Sequence, residues 1–380
     1  MYINRILQLK SLVRKKSHFL FGPRGVGKSL LIKHDLGDEA LIIDLLHSET
    51  YMRLLSNPSQ LEGLIDIDNK PFIVIDEIQR VPELLNEVHR LIENKQLRFL
   101  LTGSSARKLK RQGVNLLAGR ARQAELYPLT YHELPNFNLY HYLQYGGLPM
   151  VTLSDEPAED LDAYVRTYLE EEIKAEALVQ KLPAFSRFLQ LSALTSGTTL
   201  NYASIANDTG VSSPTLREYY QILEDTFLGF IVLPWEHSIK RKAVTTARFY
   251  YFDIGVKNRL AQIHAIPEKS DLFGQAFEHF VAMELRAYLS YSRKKMSLCF
   301  WRTAEGQEVD FIVGDEVAIE VKATTKVSAK HLKGLKYLME ENKLKNYYMV
   351  SQDPVAVKQD GIYILSWEVF VKRLWDGEII

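Results

Sequence analysis

The 380-residue sequence predicts an α/β multidomain protein in three parts: a parallel sheet flanked by helices, a helical middle, and a second α/β unit. Three observations carry this. Short apolar runs alternate with helical stretches up to about residue 150; amphipathic helices dominate from about 157 to 230; five more strand-like runs follow a long helix after residue 270. At about 150 residues per domain, the length also suits two or three folded units. The expected units are 1–150, 151–266 and 267–380.

In the first unit, HFLFG (18–22), ALIIDL (40–45), PFIVIDE (71–77) and LRFLLTG (97–103) are near-continuous apolar runs. Strands covered by helices on both faces need such runs. One helix starts inside GPRGVGKSLLIKH and another lies at PELLNEVHRLIE (82–93). In the middle, two amphipathic helices join at Gly210, with Ser213 expected to cap the second and Pro214 to open it. FIVLP and RFYYFD then flank a basic loop, so helix–turn–helix plus hairpin reads as winged-helix organisation. After a boundary near Pro267–Ser270, LFGQAFEHFVAMELRAYLSY reads as a long helix. LCFWR, EVDFIVG, VAIEVKA, NYYMVSQ and GIYILS read as strands, with a helix (AKHLKGLKYLMEE) between the third and fourth.

Composition narrows the function classes. Forty-seven Lys plus Arg balance 47 Asp plus Glu, and 46% of residues are hydrophobic, which excludes a disordered polyelectrolyte and a uniformly basic coat. Cys299 is the only cysteine, so there is no intramolecular disulfide and no multi-cysteine zinc site. Apolar runs such as FIVI (72–75) and FLGFIVLPW (227–235) fall short of the roughly 20 residues a spanning helix needs. The start of the chain is a poor signal peptide. A cytoplasmic protein with no membrane partner is expected.

The zero net charge is a sum of opposed patches. Nine acids and two bases lie between Asp155 and Glu176, whereas 107–122 holds six Arg or Lys and no acid. Lys240, Arg241, Lys242 and Arg248 fall in the expected wing, and Lys322, Lys326, Lys330, Lys333 and Lys336 crowd one stretch. Such lysines suit a phosphate backbone, so DNA is an expected partner. The second helix of the pair carries Arg217 against Glu218, Glu224 and Asp225, which equally suits a structural spacer.

Gly22, Pro23, Arg24, Gly25, Val26, Gly27, Lys28 and Ser29 fit G-x-x-x-x-G-K-[ST] between a strand and a helix. Glycines let backbone N–H groups turn inward onto phosphate oxygens at a helix N-terminus. Lys28 is expected to reach the β- and γ-phosphates of ATP, and Ser29 to ligate Mg²⁺. Asp76, at the end of PFIVI, is placed to hold the Mg²⁺ shell, and Glu77 to polarise an attacking water. Thr102 and Ser104 (with Ser105) read as a γ-phosphate sensor or as helix caps. Arg120 and Arg122 read either as transition-state cations supplied in trans or as surface ion-pair partners.

EVDFIVGDEVAIEVKA carries a second constellation. Period-two alternation puts Glu308 and Asp310 on one face with Ile312, and Glu320 with Lys322 on one face of the next strand. A turn at Gly314-Asp315-Glu316 sets Asp310 opposite Glu320 and Glu308 opposite Lys322. Like charges facing each other destabilise a sheet. A divalent cation, Mg²⁺ or Mn²⁺, held by Asp310 and Glu320 offsets that, with Lys322 on a scissile phosphate. A plain cross-strand pair of Lys322 with Glu308 is the alternative.

The blocks GPRGVGKS, VIDEIQRVPELL, LTGSSARKL, LAGRARQAELYPLTYHEL and YLQYGGLP resemble, in order and spacing, those of prokaryotic and archaeal-type AAA+ ATPases. The resemblance covers nearly the whole chain. It implies a P-loop AAA+ parallel sheet, an α-helical winged-helix middle and a C-terminal restriction-endonuclease-like α/β domain. It further implies nucleotide at a subunit boundary and hence a homo-oligomeric ring, a hexamer among the candidates. D-x₉-E-x-K resembles the PD-(D/E)XK nuclease core, with Glu278 as the acid from its first helix, although Val309 rather than Pro precedes Asp310. The expected function is an oligomeric Mg-dependent ATP hydrolase that couples turnover to action on DNA, with a nuclease-like end. The alternative is a nucleotide-dependent switch whose C-terminal domain only binds a partner.

Overall fold

The structure, a computed structural model, describes residues 2–68, 70–107, 109, 117–169, 182–241 and 243–380. The first unit is built on β1 (Ser17–Phe21), β2 (Ala40–Asp44), β3 (Phe72–Asp76), β4 (Phe99–Gly103) and β5 (Ala121–Glu125). Among the described residues their pairings are parallel, in the order β2-β3-β4-β1-β5. The interior strands β1, β3 and β4 are buried at every position, as their apolar runs demand. β5 escapes a search for apolar runs: its sequence is ARQAE, it lies at a sheet edge, and only Ala124 is buried. Side chains alternate between two cores. Phe19, Phe21, Ile73 and Ile75 pack against Leu85 and Val88 of the helix Leu84–Lys95. On the other face Leu20, Val74 and Leu100 join Leu31 and Ile32 of the helix Lys28–Asp35, and that core continues into Phe188 and Tyr219 of the middle.

In the middle, the helices Tyr202–Thr209 and Ser213–Asp225 meet at Gly210, whose φ of 69° is the left-handed value a helix stop favours. Ser212 rather than Ser213 caps the second helix, accepting from the Thr215 N–H at 3.4 Å. Pro214 needs only to be in the first turn, where its missing N–H costs nothing. The strands β6 (Gly229–Pro234) and β7 (Arg248–Tyr251) then pair antiparallel.

That hairpin does not project into solvent as a free wing. β6 pairs parallel with β8 (Leu298–Arg302) through Leu233 with Cys299 and Pro234 with Phe300. It thereby extends a sheet completed by β9 (Glu308–Val313), β10 (Val317–Lys322), β11 (Asn346–Ser351), β12 (Val357–Gln359) and β13 (Ile362–Ser366). The eight strands run β12-β13-β11-β10-β9-β8-β6-β7. The long helix Asp271–Tyr291 covers one face with Phe273, Phe277 and Phe280 against Phe311, Ile319 and Val350. Leu335 and Leu338 of the helix Lys333–Met339 cover the other, against Val309 and Ile312.

Two elements go beyond the sequence reading. β12 is three exposed residues with no pattern to detect. The helix Trp367–Trp375 does carry a signal: Ser366 accepts from the Val369 N–H, and Phe370, Val371 and Leu374 line one buried stripe. Among the described residues no helix is long and apolar enough to cross a membrane. Of the charge clusters, Lys108, Lys110, Arg111, Lys242 and the run from Glu170 to Glu176 lie outside the described residues.

The long helix also ties the segment after β5 to the C-terminal helix through Glu284, which accepts from the Tyr131 N–H (2.8 Å) and the Trp375 indole N–H (2.7 Å). Burial pushes this carboxyl up to about 7 from the ordinary 4.5. The folded chain therefore holds a proton between those values that the unfolded chain has released, so this contribution to stability is lost as pH rises from about 4.5 through 7. Glu284→Gln cannot ionise. Its melting temperature relative to the unsubstituted protein is expected to climb as pH is raised from about 5 to 8, and a difference independent of pH would refute this.

Candidate functional site

The loop after β1 is shaped for phosphate. Gly22, Gly25 and Gly27 take φ values of 151°, 79° and 92°, and a methyl group on Gly22 would stand 2.4 Å from the Leu126 carbonyl oxygen. Only glycine fits that position, because backbone passes where a Cβ would be. Lys28 is buried and donates to the carbonyls of Gly22 (2.8 Å) and Pro23 (3.1 Å), so its ammonium lies within the loop. Val26 is buried beneath, and the Tyr164 hydroxyl donates to the Arg24 carbonyl at 3.0 Å from above. Pro23 is likewise buried, whereas Arg24 is exposed.

β3 brings its carboxylates to the same end of the sheet. Ser29 Oγ donates to Asp76 Oδ2 at 3.0 Å, and the Thr102 hydroxyl donates to Asp76 Oδ1. Thr102 also accepts from the Glu77 N–H at 3.2 Å. Its hydroxyl thus orients the two acids from the neighbouring strand. Glu77 sits in the left-handed region at φ 60°, which turns the chain sharply at the strand end. Its carboxylate accepts from Gln79 Nε2 and, at 3.5 Å, from Ser104 Oγ. Gln79 is a site residue that sequence reasoning missed, since a lone Gln two positions on carries no pattern. The chemistry of this donor set fits Mg²⁺: a hydroxyl and a carboxylate oxygen already adjacent, beside a loop for triphosphate.

Arg120 and Arg122 are not part of this constellation. Arg122 lies opposite His18 at the start of β1, four residues before the loop, roughly 13 Å away along the strand. Arg120 pairs with Glu93 on the surface.

Glu278, Asp310, Glu320 and Lys322, by contrast, converge. The strand register matches the expected turn, with Val317 opposite Val313, Ala318 opposite Ile312 and Ile319 opposite Phe311. The alternation does not hold. β9 carries an extra residue relative to β8 between the pairs Cys299–Ile312 and Trp301–Val309. Val309 accordingly packs with Ile312 while Phe311 packs on the opposite face. The expectation that Glu308 and Asp310 share the face of Ile312 therefore fails: a bulge re-aims them. Asp310 Oδ2 accepts from the Val321 N–H (2.8 Å) and from Lys322 (3.3 Å), and Lys322 also donates to Glu320 Oε1 at 2.6 Å.

Nor does Lys322 pair with Glu308. That carboxylate is taken by Arg248 at 2.6 Å and Arg302 at 3.4 Å. Arg248 is 2% exposed and also reaches Glu278 (3.4 Å) and Asp310 (4.0 Å), so it is not available as a wing contact to nucleic acid. Arg241 is likewise engaged within the chain, by Glu340 at 2.6 Å. Tyr250, two residues along β7 from Arg248, donates to Glu278 Oε1 at 2.5 Å. Burial, then the neighbouring Asp310 charge, pushes the Glu278 carboxyl up to about 7; the same two causes hold Glu320 well above its usual range. Glu320 Oε2 is buried and has no hydrogen-bond partner. An orphaned carboxylate oxygen beside Asp310 fits a small divalent cation. Among the described residues no group of three or more His, Cys, Asp or Glu is arranged to hold a metal, so water or substrate oxygens would have to complete the shell. A cleft of about 580 Å³ opens over Glu278 and Lys322, lined also by Lys269, Gln275 and His331.

Comparisons with known proteins agree with the first constellation. Residues 14–135 match the AAA domain. Residues 136–266 and 273–370 match two domains of unknown function, DUF8612 and DUF4143. Similar chains include an uncharacterized protein of Haemophilus influenzae, 25% identical over 334 residues, covering 80% of this chain and 79% of the relative. Two uncharacterized proteins of Methanocaldococcus jannaschii are 23% identical (90% of this chain, 83% of the relative) and 25% identical (94% and 85%). A solved structure titled as replication initiator DnaA bound to AMPPCP and single-stranded DNA aligns with a TM-score of 0.29 and 10% identity. It covers 59% of this chain and 90% of that chain, a likeness too loose to bear on function. The AAA match spans β1 to β5 and contains every residue of the phosphate loop, Asp76 at the end of β3 and Glu77 just after it.

Proposed function

We propose that the chain is an oligomeric Mg-dependent ATP hydrolase whose turnover drives a C-terminal carboxylate–lysine site acting on DNA. The observation that carries the first half is the joining of Ser29, Asp76, Thr102 and Glu77 at the mouth of the Gly22–Ser29 loop. Loop N–H groups and Lys28 would hold the phosphates, Ser29 and Asp76 would hold Mg²⁺, and Glu77 would orient water. A Mg²⁺ held by Ser29 and Asp76 would supply neutralisation of charge on the phosphate oxygens. Arg120 and Arg122 lie at the far end of the sheet from their own loop, which supports a role toward a neighbouring copy in a ring.

For the second half, the support is the convergence of Glu278, Asp310, Glu320 and Lys322 below one cleft. Mg²⁺ or Mn²⁺ on Asp310 and Glu320 would supply Lewis acidity toward a phosphodiester, and Lys322 would hold its oxygen. A second reading, a switch whose C-terminal part binds a partner and cuts nothing, draws on Arg248, which already fills much of the carboxylate cluster. One experiment separates them. ATP hydrolysis by the full chain is measured with no DNA, linear duplex and branched duplex, alongside cleavage of the same DNAs in Mn²⁺. Stimulation by DNA and cleavage abolished by Asp310→Ala, with ATPase retained, are expected. ATPase unmoved by every DNA, with no cleavage, would establish the switch instead.

A further inference from the structure

Away from both constellations, a cleft of about 400 Å³ is lined by three arginines that come from three separate elements. Arg166 lies on the π-helical turn Tyr164–Leu169, Arg187 on the helix Leu182–Leu194 and Arg259 on the helix Ile254–Leu260. Among the described lining residues Asp162 is the only acid. Arg259 is committed within the chain. Its Nε pairs with Asp162 at 3.5 Å, its Nη2 donates to the Ala158 carbonyl at 3.2 Å, and its Nη1 donates to His264 Nδ1. That last bond fixes the imidazole proton on Nε2, so the ring of His264, also on the lining, retains an N–H donor. Arg187 donates to the Thr209 carbonyl at 3.2 Å through Nη2 alone. Arg166 makes no side-chain hydrogen bond or ion pair among the described residues. Two of the three guanidiniums thus keep most of their donors unspent.

We infer that this cleft is a second anion site, separate from the phosphate loop, that takes a small phosphate-bearing molecule. Like charges gathered around a concave surface repel one another and focus their field into it, and an anion relieves both. Guanidinium forks match phosphate oxygens through paired N–H donors, which a lone ammonium cannot do. The volume falls within the roughly 300–1,000 Å³ of small-molecule clefts. No residue of the Gly22–Ser29 loop is among the described lining residues, so the two sites do not overlap. They do adjoin, because the turn that carries Arg166 also carries Tyr164, whose hydroxyl donates to the Arg24 carbonyl. Such π-helical turns are rare and recur at functional sites. The helix Pro157–Ala163 favours a small ligand over a nucleic-acid strand. Glu159 and Asp160 stand in its first turn, just ahead of Asp162, and would repel a backbone running past the cleft. A small anion inside the cleft meets the guanidiniums first.

The test is pyrophosphate binding to the full chain by calorimetry, without added metal. Lys28→Ala serves as the background, because it removes the ammonium from the phosphate loop and leaves the cleft untouched. Pyrophosphate is expected to bind this variant, and adding Arg166→Ala is expected to weaken binding at least about tenfold, the effect of losing one hydrogen bond between charged groups. Arg187→Lys, which keeps the charge and loses the fork, is expected to weaken it as well. Arg166 is exposed and its side chain bonds nothing among the described residues, so its removal should keep the fold, which melting curves check. Binding that disappears in Lys28→Ala, or that Arg166→Ala leaves unchanged, would overturn the cleft as an anion site while leaving the phosphate loop standing. A single-stranded oligonucleotide supplies the second arm and is expected to leave bound pyrophosphate in place. Displacement of pyrophosphate by the oligonucleotide would assign the arginines to nucleic acid and overturn the small ligand.

Discussion

Lys28→Ala and Glu77→Gln are each expected to lower steady-state ATP turnover by at least about 100-fold, but by different routes. Lys28 is a buried cationic side chain of the loop, held by the carbonyls of Gly22 and Pro23. In its place an alanine offers no charge to the triphosphate, so nucleotide affinity should fall together with turnover. Glu77 is held differently, by Gln79, Ser104 and its own N–H on Thr102. Glutamine there keeps the shape and removes the carboxylate proposed to orient water. Binding of a fluorescent ATP analogue should survive in Glu77→Gln and weaken in Lys28→Ala. Turnover retained in either variant would remove the ATPase assignment, and weakened binding in Glu77→Gln would mean that this residue holds nucleotide instead of activating water.

The second large effect is on stability and concerns Arg5, 17 residues ahead of Gly22, where the phosphate loop begins. Its guanidinium donates to Glu133 at 3.0 Å, to the Val26 carbonyl at 2.8 Å and to the Tyr127 carbonyl at 2.5 Å. The two side chains are 4% and 0% exposed. Arg5 thus ties the start of the chain to the phosphate loop and to the segment after β5. Removing one partner of a buried ion pair typically costs 3–5 kcal/mol, because the other charge stays buried. Glu133 keeps donors from Ile6 and Thr130, so Arg5→Met is expected near the lower end, about 3 kcal/mol in denaturant unfolding. Since the Val26 carbonyl loses its anchor, affinity for ATP should fall as well. Arg5→Met together with Glu133→Gln should recover part of the stability. A loss below about 1 kcal/mol in the single variant would show that the pair is not load-carrying.

Much of this was legible from residue order. The strands β1, β2, β3 and β4 coincide with the four apolar runs, and the motif residues Ser29, Asp76 and Thr102, like Asp310, Glu320 and Lys322, do meet, whereas Arg120 and Arg122 lie elsewhere. What was not legible falls into two kinds. Local patterns were weak where burial is slight, as in β5 and β12, which lie at sheet edges and need no apolar run. Other features are tertiary by nature. Nothing near Arg5 signals a loop strut, because Glu133 is 128 residues away. Arg248 reads as one more basic residue of a wing until β6 docks on β8 and buries it among three carboxylates.

The sequence by itself determined the phosphate loop, the acids at the end of β3 and the set of carboxylates on β9 and β10. Those features depend on short-range backbone geometry and on periodicity, which neighbours in the chain encode directly. Only the tertiary structure decided where those carboxylates point and what neutralises them. A bulge of one residue overturned the alternation that two-residue periodicity requires, and Arg248, a counter-ion shared by Glu278, Glu308 and Asp310, came from a strand 62 residues before Asp310. Register and docking are set by how buried faces fit one another, and no local pattern carries that information.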